Sequence, residues 1–214
     1  MTTSSGTQPV KKRRMPRADR ERQMMAVAEE VFVERGYVAA SMDDIAERVG
    51  VSKPMLYEYF GSKEGLLVAC VRQARSELFT VTSSAALEAA GPEEMLRKGL
   101  TAYFAFITEH SRSWALLRNE AAVVGTSALA EIDAGRAQQS ELIIAAMSLY
   151  SPQPPPLDLR AAAEVIVGGC EQLAAWCAQN PELTPEKAAD LVMQLTWFGI
   201  SRLVASPGES PGRG

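Results

Sequence analysis

The chain has 214 residues, of which 47% are hydrophobic, enough to bury a core as one elongated domain or two small ones. No apolar run approaches the length of a membrane span, no secretory signal is recognisable, and the single histidine and three scattered cysteines lack zinc-ligand spacing. The net charge is −4, but residues 1–22 carry seven basic and two acidic side chains, so overall acidity does not exclude a nucleic-acid partner.

Residues 1–16 are polar and basic, and we expect a disordered basic arm. A solvated tail that only aids solubility explains this charge equally well. From Arg17 onward, apolar residues recur at helical spacing and no window alternates strictly, which predicts an all-α chain. The first helix is expected from Arg17 to Arg35, with Gly36 in the left-handed conformation after its end.

The next segment has the pattern of a helix-turn-helix. Ser41 is placed to cap a short helix ending at Val49, and Asp44 stands where a capping box has an acidic residue. A tight turn at residues 50–52 leads to a second short helix, from Lys53 to about Tyr59. Two short helices joined by a glycine-containing turn are typical of DNA-binding proteins.

Six further helices are predicted from caps, prolines and apolar spacing. Gly61 separates the first of them from the helix-turn-helix. Residues 206–214 are rich in proline and glycine and are expected to be a disordered tail. The predicted helices cover about 63–84, 92–110, 113–123, 127–150, 158–179 and 185–205.

Three segments closely resemble the DNA-binding domain of TetR-type regulators: AVAEEVFVERG at 26–36, SMDDIAERVGVS at 41–52 and LYEYFGSKEGL at 56–66. The resemblance implies a helix-turn-helix domain over residues 17–63 and a ligand-binding and dimerisation domain over 64–205. It also implies a homodimer whose recognition helices enter the major groove of double-stranded DNA, and control by a small molecule.

Carried over by position, the DNA-facing residues of that family correspond to eight positions here. Lys53 and Lys63 are cations near helix N-termini, a position that favours a bound anion such as phosphate. Tyr57 and Tyr59 point in different directions, and we expect Tyr59 to reach phosphate while Tyr57 packs. Met55 either touches a thymine methyl or does nothing. The full set is Ser41, Met42, Lys53, Pro54, Met55, Tyr57, Tyr59 and Lys63.

The middle of the chain holds large apolar side chains that can line a ligand pocket between helices. Ordinary core packing accounts for the same residues, and the polar ones also fit a solvated face. Under the pocket interpretation, the walls are Phe104, Trp114, Met147 and Trp176, and the polar anchors are Arg118, Asn119 and Glu120.

The last two helices combine small residues with bulky apolar ones. Two such helices from each subunit make a four-helix bundle across a two-fold axis. The predicted interface residues are Val165, Gly168, Gly169, Gln172, Leu191, Leu195 and Phe198.

The sequence is thus interpreted as a cytoplasmic homodimeric repressor that binds a palindromic operator under control of a small, largely apolar ligand. We expect no metal, cofactor or membrane partner. The alternatives are a helical small-molecule-binding protein or enzyme that uses the same cavity, and an interaction module without a ligand. An enzyme is disfavoured because no nucleophile, acid–base pair or phosphate-binding loop occurs at useful spacing.

Overall fold

A computed structural model describes residues 15–118, 127–149 and 157–205, and within these ranges the chain is helical without strands. The all-α prediction is therefore confirmed. Most of the basic arm, the tail and two connecting segments lie outside the described residues. The helices are α1 Arg17–Ala39, α2 Met42–Val49, α3 Lys53–Phe60, α4 Lys63–Leu87, α5 Pro92–Glu109, α6 Ser111–Arg118, α7 Ala128–Ser148, α8 Leu157–Cys177 and α9 Pro185–Ala205.

The first helix buries one stripe against the rest of the chain. Met24, Ala28 and Val31 are fully buried at i, i+4 and i+7 spacing, as the periodicity predicts. Gly36, with φ 75 and ψ 160, interrupts the helix where its end is predicted. Its ψ lies outside the left-handed helical region, and Ala40 N–H still donates to the Gly36 carbonyl at 3.1 Å. Three further residues therefore continue α1 past the interruption.

The start of α2 is held by a reciprocal cap. Asp44 N–H donates to Ser41 Oγ at 3.1 Å, and Ser41 Oγ donates to Asp44 Oδ2 at 2.8 Å. The Asp44 carboxylate thus accepts from the Ser41 hydroxyl. The glutamate of a usual capping box is longer and reaches the backbone N–H of the capping residue. Gly50, at φ 80, provides the left-handed residue that turns the chain toward α3.

The junction of α3 and α4 requires a glycine. A Cβ atom built at Gly65 would lie 2.1 Å from the Phe60 carbonyl oxygen, closer than any side chain tolerates. Ser62 Oγ accepts from Gly65 N–H at 2.9 Å and caps α4. The helix-turn-helix is therefore followed directly by α4.

The fourth helix connects the two parts of the molecule. It has 25 residues and a length of about 37 Å, and it packs against α1, α3, α5, α6 and α7. Beyond it, α9 packs on α5 and α8, and α7 packs on α4 and α8. In the described part of the chain, no helix is long and apolar enough to cross a membrane. A rotation of α4 would move the helix-turn-helix relative to these helices.

Candidate functional site

The outer face of α3, formed by Lys53, Pro54, Tyr57 and Glu58, is exposed. These positions share one side of the helix because they follow i, i+1, i+4 and i+5 spacing. Leu56, on the opposite side, is fully buried and anchors α3 to the core. Three of the eight predicted DNA contacts therefore lie where a duplex can reach them.

Lys53 has an acidic neighbour on the adjacent helix. Its Nζ lies 2.7 Å from Asp43 Oδ2, and both side chains are exposed. The hydrogen bond and the charge of Asp43 raise the pKa of Lys53 above its usual value. Lys53 is thus a cation held at the surface between α2 and α3, and a DNA phosphate would compete with Asp43 for it.

The start of α2 differs from the prediction. Met42 is 4% exposed and belongs to the hydrophobic core, so its assignment as a DNA contact is wrong. Its apolar side chain is more stable inside the core than at a solvated groove. Ser41 is half-buried, and its hydroxyl is engaged in the cap on Asp44.

The two tyrosines of α3 have the opposite environments to those expected. Tyr59 is half-buried, its ring lies 6.0 Å from that of Phe60, and the Arg17 guanidinium lies 4.7 Å above it. Tyr57 is 43% exposed. The structure therefore favours Tyr57 as the side chain that presents a hydroxyl to DNA, and Tyr59 as the one that packs.

The ammonium group of Lys63 binds the end of α1. It donates to the carbonyl oxygens of Tyr37 and Ala40 at 2.9 Å each and of Val38 at 3.3 Å, and it lies 4.6 Å from the Tyr37 ring centre. These carbonyls have no helical partner, and their negative partial charge attracts a cation. Without DNA, Lys63 therefore binds the partial negative charge of the helix end, and a phosphate would compete with these carbonyls for its ammonium group.

The basic start of α1 lies beside α3. The Arg20 guanidinium contacts Met55 Sδ at 3.7 Å, and Met55 is half-buried against the core. Arg17, above the Tyr59 ring, is the second guanidinium group that lies next to α3. Residues 1–14 of the predicted basic arm lie outside the described residues.

A cavity of about 50 Å³, which we call the main cavity, lies among α4, α5, α7 and α8. Its walls are mainly apolar, with Met95, Leu100 and Met147 among them. Thr82 and Gln139 are two polar side chains in the same walls. Thr82 Oγ1 lies 3.3 Å from Gln139 Oε1. Apolar walls with a few polar groups are typical of small-molecule sites.

The predicted ligand residues divide between several places. Met147 lines the main cavity and Trp114 lines a second cavity beside it, whereas Phe104 is buried core at 2% exposure. Trp176 is 52% exposed on α8, so its assignment as a pocket wall is wrong. Arg118 ends α6 but its side chain, like Asn119 and Glu120, lies outside the described residues.

Other cavity residues were not selected from the sequence. Gln139 on α7 is half-buried, and Thr82 on α4 is buried. Tyr103 on α5 lines both cavities. Tyr103 belongs to an aromatic run that signals core or pocket alike, and no periodic signal separates Gln139 from its polar neighbours. Among the described residues, no cluster of histidine, cysteine or carboxylate side chains could hold a metal ion.

The predicted dimer residues lie on a shared surface of α8 and α9, which we call the α8–α9 apolar face. All seven are exposed, among them Val165 at 69%, Leu195 at 78% and Phe198 at 69%. A Cβ atom at Gly168 or Gly169 would meet nothing within 4 Å. Large exposed apolar groups on two packed helices are a typical protein-interaction surface.

A further contact joins α1 to α6. Ser113 Oγ lies 3.0 Å from Glu29 Oε2, and Arg112 Nη1 lies 2.6 Å from Glu30 Oε1. Burial is the main cause that raises the pKa of Glu29 to about 7. The helix-turn-helix thus contacts the rest of the chain through α6 as well as through α4.

Two family descriptions match the chain. Residues 24–70 match "Bacterial regulatory proteins, tetR family", and residues 92–199 match "Tetracyclin repressor-like, C-terminal domain". The first range includes the α3 outer face, and the second includes most of the main cavity wall and the α8–α9 apolar face.

Individual proteins resemble the chain over most of its length. The transcriptional activator FasR of Mycolicibacterium smegmatis is 29% identical over 194 residues, covering 89% of this chain and 87% of FasR. The structure of a TetR-like transcriptional regulator from Rhodococcus sp. RHA1 is 33% identical, with a TM-score of 0.72, covering 88% of this chain and 99% of that one. AibR, solved with isovaleryl coenzyme A and operator DNA, is 26% identical, with a TM-score of 0.67 and coverages of 83% and 98%.

Proposed function

From the premise that this chain belongs to the tetR family of DNA-binding transcriptional regulators, we propose that it binds a palindromic operator as a homodimer and represses transcription under control of a small, largely apolar ligand. Residues 17–63 are proposed as the DNA-binding domain and residues 64–205 as the ligand-binding and dimerisation domain. The proposed place of action is the cytoplasm, where the bacterial chromosome lies.

The observation that carries the proposal is the α3 outer face. Lys53 and Tyr57 are exposed on the second helix of a helix-turn-helix, while Leu56 fixes that helix to the core. A recognition helix enters the major groove with its N-terminal residues toward the bases. In our proposal Lys53 contacts phosphate, and Pro54 and Tyr57 approach the groove. Ser41, Met55 and Tyr59 serve mainly to hold α2 and α3 in place.

The dimer is proposed to form through the α8–α9 apolar face. Leu195 and Val165 gain the free energy of burial only if a second surface covers them. A second copy of the same face would make an isologous four-helix bundle. Two recognition helices related by a two-fold axis read a palindrome, with half-sites about 34–36 Å apart or slightly more.

The main cavity is proposed as the effector site. Its apolar walls suit an apolar ligand, and AibR supports an acyl group as the chemistry because it was solved with isovaleryl coenzyme A. The helix α4 forms one cavity wall and continues to the helix-turn-helix. A ligand controls DNA binding if it favours one position of α4 over another.

Repression is proposed because a dimer across two major grooves occupies promoter DNA. FasR is named an activator, so the direction of regulation needs its own experiment. Expression of a reporter behind the bound promoter should rise when the gene for this protein is deleted. A fall would make the protein an activator while leaving its DNA binding in place.

Selection from random double-stranded DNA tests the proposal directly. The full-length protein should enrich a palindrome, and its affinity for that duplex should fall steeply with salt because bound phosphates release counterions. Tyr57→Ala is the informative variant, and Glu88→Ala, just after the end of α4, is a control. Absence of a palindrome, or an affinity indifferent to salt, would contradict the proposal.

A further inference from the structure

Two cavities meet at the side chain of Tyr103. The main cavity among α4, α5, α7 and α8 is mainly apolar, and the second cavity, of about 30 Å³, is lined by Arg75, Trp114, Arg136 and Glu171 among others. Tyr103, Gln139 and Val167 line both. The main cavity therefore adjoins a cavity with charged side chains in its wall, which we call the polar cavity, at Tyr103, Gln139 and Val167.

The hydroxyl group of Tyr103 is buried without a hydrogen-bond partner. Tyr103 is 8% exposed, and its oxygen is one of three buried side-chain atoms without a partner in the described part of the chain. Burial raises the pKa of Tyr103 well above its usual value, so the group remains an O–H donor. A buried donor without an acceptor is costly, and natural proteins rarely leave one.

A second buried donor close to these cavities also lacks a hydrogen-bond acceptor. Arg75 Nε is also buried without a partner, and Arg75 lines the polar cavity. Two donors, on residues that line these adjoining cavities, lack acceptors, whereas Thr82 in the main cavity already donates to the Leu78 carbonyl at 2.9 Å. The missing element is therefore an acceptor near Tyr103.

Both arginines that line the polar cavity have carboxylate partners. Arg75 Nη1 lies 3.0 Å from Glu131 Oε2, and Arg136 Nε lies 2.8 Å from Glu171 Oε1. Each arginine thus already has a carboxylate at ion-pair distance. A charged head group would have to be desolvated without a free counter-charge, which is unfavourable.

We propose that these adjoining cavities bind a neutral amphiphile, with an acyl chain in the main cavity and an uncharged ester or thioester carbonyl that accepts from the Tyr103 hydroxyl. This inference rests on the proposed function, since it assigns the chemistry of the effector at the effector site. A pure hydrocarbon would leave the hydroxyl unpaired, and a free fatty acid would bring an unpaired charge.

Calorimetry on the full-length protein without DNA tests the inference with three probes of equal chain length: methyl octanoate, octanoate and octylamine. Methyl octanoate should bind at least about tenfold more tightly than the two charged probes. Tyr103→Phe should weaken the binding of methyl octanoate by about 3- to 10-fold, the effect expected for the loss of one neutral hydrogen bond. Tyr37→Phe, which removes a tyrosine hydroxyl far from the cavity, should leave the affinity unchanged.

Three results would overturn the inference. These are tighter binding of octanoate than of the ester, unchanged ester affinity in Tyr103→Phe, and no binding of any probe. Unchanged affinity would assign the hydroxyl to a trapped water. The titrations contain no DNA, so a negative result would not affect the outcome of operator selection. If operator selection failed instead, the ligand affinities could still be interpreted.

Discussion

Ser113 and Glu29 form a hydrogen bond of 3.0 Å that joins α6 to α1, the first helix of the proposed DNA-binding domain. The groups facing Glu29 are Ser113 and Arg112 from α6 and Glu77 and Cys70 from α4. Burial and the charge of Glu77 oppose ionisation, whereas Ser113 and Arg112 favour it, and the balance raises the pKa of Glu29 to about 7. This contact therefore changes charge close to neutral pH.

Glu29→Gln should remove a pH dependence of stability. A carboxyl whose pKa is raised by folding is more protonated in the folded chain, so its stabilisation is complete below about pH 4.5 and is lost as the pH rises toward about 7. The free energy of unfolding should therefore fall over this window, by at most about 1.4 kcal/mol per pH unit. Denaturant titrations at several pH values should show this slope in the parent protein and in Glu109→Gln, but not in Glu29→Gln. An equal slope in all three would contradict the assignment.

Lys63→Met should destabilise the chain without changing the salt dependence of DNA binding. The variant keeps the apolar stem and removes the ammonium group that binds three carbonyls at the end of α1. Loss of charged hydrogen bonds of this kind costs about 1–3 kcal/mol. Lys98→Met, which removes a surface ammonium near Glu94, is the matched control and should cost less. A smaller salt slope in Lys63→Met would instead show that Lys63 contacts a DNA phosphate.

Lys53→Met and Asp43→Asn should have opposite effects on DNA affinity. Removing the cation should weaken binding to all sequences alike and reduce the salt slope by about 0.9. Removing the carboxylate that holds Lys53 at 2.7 Å should strengthen binding, since phosphate then has no competitor. Fluorescence anisotropy with specific and random duplexes at several salt concentrations measures both. A sequence-dependent loss in Lys53→Met would instead assign that lysine to a base.

Gly168→Phe should produce a folded monomer. A side chain at this position meets nothing within 4 Å inside one chain, so the fold should tolerate it, whereas a close helix interface across a two-fold axis should not. Val81→Phe adds the same ring to a helix outside the α8–α9 apolar face and serves as control. Light scattering should report a dimer for the parent and the control. A dimeric Gly168→Phe with unchanged affinity would place the interface elsewhere.

The sequence predicted helices well and side-chain directions less well. Ser41, Gly50 and Ser62 mark helix ends through local chemistry, so the helix-turn-helix follows from residues close together in the chain. A positional resemblance does not say that the Met42 side chain packs inward or that Lys63 binds a neighbouring helix end. That information depends on α1, which is distant in sequence from Lys63.

The cavity was the least predictable part. Tyr103 and Gln139 come from helices far apart in the chain, and only packing brings them to one space. Trp176 illustrates the converse, because a large aromatic residue on a helix is as compatible with an exposed interface as with a pocket. The α8–α9 apolar face was easier to anticipate, since small and bulky residues recur there at helical spacing.

The central claim is that ligand and operator are coupled through α4. The most direct measurement is calorimetric titration of methyl octanoate into the full-length protein, alone and saturated with the selected operator. Linkage requires that the ligand change operator affinity by the same factor by which the operator changes ligand affinity, typically about 5- to 150-fold. The account predicts unequal ligand affinities that differ by this factor. Equal affinities with and without operator would contradict it.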